Sequence, residues 1–174
     1  MRTTIAAMER PVTLRDGSTA VIRPVEPEDA GLLVDGFEAL SDRSRYARFL
    51  TAVPRLPRHW VEDLVDLDHR DREALGALDP LTGEGVGVAR YVRLEDDPQE
   101  AEFAIAIADD WQGRGLGRVL LGELVDAARA NGLLRLSGDV LAENDRMLAL
   151  GRTVGRDAHL GDVHDGVVRL VVEL

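Results

Sequence analysis

The chain has 174 residues, a length that predicts one domain spanning 1–174 and able to bury a core without covalent staples. Its 21 basic residues are all arginine and cysteine is absent, which excludes Schiff-base chemistry, a P-loop lysine, a thiolate nucleophile, disulfides and Cys-ligated metals. Its 32 acidic residues bring the net charge to −11, which argues against a nucleic-acid partner and favours a cationic substrate, or simply keeps the chain soluble.

No apolar run approaches the length of a membrane span, and Met1–Glu9 is too short and polar for a signal peptide, so a cytoplasmic protein without a membrane partner is expected. Strand signals over Val12–Leu14 and Ala20–Arg23 flank an Asp16-Gly17 turn and predict a hairpin. Leu32, Leu33, Phe37 and Leu40 recur at helical spacing after Pro27, and further helices are expected over Arg43–Leu50 and Arg58–Leu67. Strands follow over Glu73–Leu78, Val86–Leu94 and Glu100–Ala108. The strongest helix covers Gly115–Asn131, with Asn131-Gly132 as its C-terminal stop. A strand over Leu134–Leu141, a helix over Asn144–Val154 and a last strand over Val167–Leu174 complete a mixed α/β layer with helices on both faces of the sheet. The four histidines stand at no recognisable metal-ligand spacing, so no metal site is expected.

The segment Gln112-Gly113-Arg114-Gly115-Leu116-Gly117-Arg118 joins a predicted strand to the strongest predicted helix. Its alternate glycines free the backbone to turn sharply, and the helix N-terminus turns unpaired N–H groups and a positive dipole toward an anion. Arg114 and Arg118 add charge, so the design suits a diphosphate. The dinucleotide fingerprint fails, because its third glycine would fall at Arg118.

The pattern resembles the acyl-CoA pyrophosphate loop of the GNAT superfamily of N-acetyltransferases. That resemblance implies acetyl-CoA (coenzyme A) as cosubstrate, no metal, and a central mixed, mostly antiparallel sheet. It also implies that backbone groups of Ile105 and Ile107 pair with the pantetheine arm, with an N–H near Ile107 polarising the thioester carbonyl. Asn144, a good helix N-cap in its own right, matches the family's segment beside pantetheine. The family's tyrosine general acid, seven residues further on, is replaced here by Gly151. The stretches Val21–Ala30 and Leu40–Leu50 are similar to the acetyltransferase domain of bacterial Pat-type protein lysine acetyltransferases. This implies a protein lysine as acceptor, such as one on an acyl-CoA synthetase. Alternatives are a small-molecule amine acetyltransferase and a non-catalytic acyl-CoA sensor, and the state is open between monomer and homodimer.

Attack on a thioester needs a neutral amine and therefore a proton acceptor. Glu102 interrupts an otherwise apolar strand, where burial would raise its pKa, and the resemblance puts the glutamate base at the same place. Glu143 and Asp139 are the reserves. Trp111 is expected to anchor the loop, and Tyr46 to pack in the core or line the acceptor site.

Overall fold

The computed structural model describes residues 9–174; the opening segment read above for targeting signals lies almost wholly outside them. Strands β1 (Arg10–Thr13) and β2 (Thr19–Pro24) form the expected hairpin, with Gly17 at φ 85°. A 3-10 turn over Pro27–Asp29 leads into α1 (Ala30–Ala39), followed by α2 (Asp42–Phe49) and α3 (Arg58–Val65). Then come β3 (Arg72–Leu78), β4 (Gly85–Arg93), β5 (Glu100–Ile107), α4 (Leu116–Ala130), β6 (Arg135–Leu141), α5 (Asp145–Val154), β7 (Asp157–His164) and β8 (Val167–Glu173).

The eight strands form one sheet in the order β1-β2-β3-β4-β5-β6-β8-β7. All neighbours are antiparallel except β5 and β6. Helices α4 and α5 cover one face and α1 to α3 the other, as expected from the sequence. The main core lies under α4, where Leu116, Leu120, Leu121, Leu124, Val125 and Ala128 are buried against Ala89, Tyr91 and Phe103. Phe37, Val53 and Leu56 form a smaller cluster among the helices of the opposite face. Among the described residues no helix is long and apolar enough to cross a membrane.

Among the described residues, β7 is the one strand missing from the sequence reading. Apart from Ala158 its residues are exposed, so no apolar alternation marks it. Its signal lay in the turn: Asp165 (φ 50°) and Gly166 (φ 78°) join β7 to β8 with the same Asp-Gly pair that closes the first hairpin.

Candidate active site

Strands β5 and β6 pair only over Glu100–Glu102 with Arg135–Ser137. Beyond that they diverge, and the last close approach has Gly138 against Phe103, where a Cβ would lie 2.9 Å from the Phe103 carbonyl oxygen. On its other edge β5 stays paired with β4 as far as Ile107. The Ala108 N–H donates to the Val86 carbonyl at 2.9 Å, so in this register the peptide groups of Ala104 and Ala106 also face β4. Those of Ile105 and Ile107 face the gap. These peptide groups form a free strand edge of the kind that an extended ligand can pair with.

The gap ends at the glycine loop. Gly113 (φ 77°) and Gly115 (φ 94°) adopt the left-handed conformation that side chains disfavour, and Gly115 is the N-cap of α4. Gly117 lies in the first turn of α4, where a Cβ would meet Leu150 at 3.4 Å and Ile107 at 3.8 Å, both ordinary contact distances. Leu116 is fully buried, so only its backbone is available to a ligand. Arg118 is exposed on the first turn of α4, and Arg114 lies over the Trp111 ring at 4.8 Å. Trp111 packs against the core and anchors the loop as expected. Arg15 was not foreseen: it donates to the Gly113 carbonyl at 2.6 Å, and its N–H to the Arg114 carbonyl at 3.1 Å. The hairpin thus braces the loop from outside.

Gln112 is exposed but folds back on the end of β5 and on α2. Its amide donates to the Ile107 carbonyl at 3.1 Å and to the Ser44 hydroxyl at 3.2 Å. That contact occupies the Ile107 carbonyl and leaves its N–H facing the gap. Asp109, also missed, buckles the loop to α2 by accepting from the Ser41 N–H (2.8 Å), the Ser41 hydroxyl (3.0 Å) and the Ser44 hydroxyl (2.6 Å). Burial pushes its carboxyl up, but these hydrogen bonds outweigh burial and hold it below the ordinary aspartate value. Asp109 and the Ser41–Ser44 turn stand more than sixty residues apart in the chain, so only the fold reveals the buckle.

Asn144 caps α5, its side-chain oxygen accepting from the Met147 N–H at 3.2 Å. The vacancy of the tyrosine position is built in: a Cβ on Gly151 would lie 2.6 Å from Leu170, whose side chain fills that space.

Glu102 lies on the face of β5 opposite Ile105 and Ile107, toward α2. The burial expected for it is not found: its side chain is exposed, because α2 covers the strand only partly there. Its electrostatic neighbour is Arg48 on α2. Burial pulls the Arg48 guanidinium down to about 10, while Glu102 pulls in the opposite direction. Of the reserves, Asp139 is held by Arg169 at 3.1 Å and Glu143 is exposed outside the gap-facing strand. Tyr46 is exposed on α2 and takes no part in the core. Among the described residues no cluster of His, Asp and Glu could hold a metal ion.

Comparison with known proteins matches this architecture. Residues 36–155 fit the sequence model of the Acetyltransferase (GNAT) family. An acetyltransferase of Pseudomonas aeruginosa is 35% identical over 151 residues, 83% of this chain and 81% of that protein. Acetyltransferase Pat of Mycolicibacterium smegmatis is 33% identical over 79% of this chain, which spans 41% of that longer relative. The crystal structure of the GNAT domain of S. lividans PAT has a TM-score of 0.86 and 36% identity, covering 95% of this chain and 97% of that one. With the family model running from α1 to the end of α5, across both the parted strands and the glycine loop, the chain belongs to the GNAT family of acetyltransferases.

Proposed function

We propose that this acetyltransferase moves acetyl from acetyl-CoA to a primary amine by direct attack, with Glu102 as the general base. The observation that carries the reading is one strand with two working sides. The β6 edge of β5 presents the Ile105 and Ile107 peptide groups, and one sheet face of the same strand presents Glu102. The residues fit the cosubstrate: Ile105 and Ile107 would hold the pantetheine arm, and the Gly113–Gly117 backbone with Arg114 and Arg118 would hold the diphosphate. Gln112 keeps the Ile107 region in place, and Asn144, the N-cap of α5, would lie beside the pantetheine arm. The cosubstrate supplies a thioester; the Ile107 N–H donates to its carbonyl oxygen where negative charge gathers. Glu102 accepts the proton of the attacking amine, directly or through one water, and its exposure leaves that route open. With Gly151 in the tyrosine position, α5 supplies no tyrosine to protonate the departing sulfur.

The acceptor favoured by similarity to the Pat proteins is a protein lysine. Calorimetric titration with acetyl-CoA, CoA and NADH tests the first half: acetyl-CoA and CoA bind and NADH does not. Thiol release with lysine-bearing proteins, against a panel of small amines, tests the second. Binding without thiol release for any acceptor would instead identify an acyl-CoA sensor.

A further inference from the structure

Between α1–α3 and the β3–β5 face lies a cavity of about 100 Å³, several times the space that one water needs. Its walls are apolar but for Arg23, Asp29, Arg48 and Arg90. Two of these satisfy each other: Arg23 grips Asp29 through both guanidinium ends at 2.7 and 2.6 Å. The other two do not. Arg90 is 8% exposed and gives a single hydrogen bond, from Nη1 to the Leu64 carbonyl at 3.2 Å. Arg48 lies with its guanidinium 4.6 Å from the Phe49 ring centroid. Among the described residues neither has a carboxylate at ion-pair distance; Glu102 and Asp63 act on them only from further away. Burial, with Arg48 and Arg72 nearby, brings Arg90 down to about 10, and burial brings Arg48 to the same value against the pull of Glu102. Arg90 is a buried guanidinium without a counter-ion, and with the half-buried Arg48 beside it the cavity invites an anion.

The cavity adjoins the proposed reaction face. Ala106 and Ala108 line it, and they share the side of β5 that carries Glu102. Arg90 stands opposite Ala104 in the β4–β5 register, so it is roughly 7 Å along the sheet from Glu102. An amine at Glu102 can therefore belong to a molecule whose acidic end reaches the two arginines.

We propose that this cavity binds a carboxylate of the acceptor, held by Arg48 and Arg90, so that the preferred acceptor is an amine with an acidic group a few bonds away. The inference rests on the amine-transfer reading above and narrows it. It also reverses locally what the net charge implies, since an acidic chain here presents cations to its acceptor. The carboxylate has two sources: a free amino acid, or an acidic side chain flanking a lysine in a protein.

Three measurements on the full chain test this. First, nitrogen-labelled arginine spectra are titrated with 4-aminobutanoate, glutarate and butylamine. The Arg48 and Arg90 Nε–H signals should move with the two carboxylates and not with butylamine. Second, initial rates with acetyl-CoA compare ω-amino acids with matched alkylamines, and lysine peptides bearing a neighbouring Glu with the same peptides bearing Gln. A carboxylate should raise kcat/KM by roughly 10–100-fold, mainly through KM. Advantage in the first pair identifies the free amino acid, and advantage in the second identifies the flanking side chain. Third, Arg48→Met should abolish the advantage and Arg48→Lys restore part of it, both at unchanged thermal midpoint; Arg90→Met serves as a second variant if it stays folded. Equal rates for acid and amine with motionless arginine signals would overturn the proposal. So would a carboxylate preference seen only for the acyl group, succinyl over acetyl. If no amine is acetylated at all, the transfer reading fails, while the spectra still report on the cavity.

Discussion

The two sides of strand β5 are built on opposite principles. The gap toward β6 is made of backbone: peptide groups of Ile105 and Ile107, two positive-φ glycines, and a helix N-terminus. The cavity toward α1–α3 is made of side chains, drawn from helices and strands far apart in sequence. A backbone site tolerates change in the residues around it and suits a cosubstrate that stays the same. A side-chain site is altered by single substitutions, which suits an acceptor that differs from one relative to the next.

The contrast can be tested by substitution, and Glu102→Gln should have the largest effect. It keeps the shape but removes the proton acceptor, so turnover should fall by about 10²–10⁴-fold while acetyl-CoA affinity holds. The loss should shrink as pH rises, because more amine arrives neutral; steady-state rates across pH 6–9 check it, and unchanged rates would move the base to Glu143, Asp139 or a water chain. On the gap side, Arg114→Glu puts negative charge beside the diphosphate and should weaken CoA binding by roughly 10–100-fold in calorimetry. An unaltered affinity would leave that side to backbone alone.

Gly151→Tyr probes whether the missing acid can be restored. Leu170 occupies the space, so the substitution should cost about 1–3 kcal/mol and lower the thermal midpoint without raising turnover. A gain in turnover would show that the gap side can host side-chain chemistry after all. The smallest effect is expected at Asp109, which ties the two sides together. Its carboxyl sits below the unfolded value, so it stabilises the fold above about pH 3.8, and that contribution fades as pH falls through the lower folded value. Asp109→Asn should flatten this acid limb in denaturant titrations at pH 3 and pH 6, with little change in CoA affinity.

The sequence announced the gap side more fully than the cavity, for a physical reason. Gln112–Arg118 is contiguous, and its glycines mark the conformations the backbone must adopt; α4, its caps and the first hairpin follow equally local rules. Arg48 and Arg90 meet only because α2 packs on the sheet where β4 and β5 pair, and no spacing in the chain records that. Asp109 and Arg15 were hidden likewise, each acting on partners from another element. Glu102 was singled out because a charge interrupts an apolar strand, yet the same signal misjudged its burial, which depends on how far α2 reaches.

The half-paired state of β5 should also leave a mark in time. Without ligand, the amides of Ala104 and Ala106 are locked to β4 while those of Ile105 and Ile107 face the gap. Hydrogen exchange along this one strand should therefore alternate residue by residue between slow and fast. Occupation of the gap would silence the fast positions and leave the slow ones untouched, so four consecutive amides would serve as a built-in occupancy gauge.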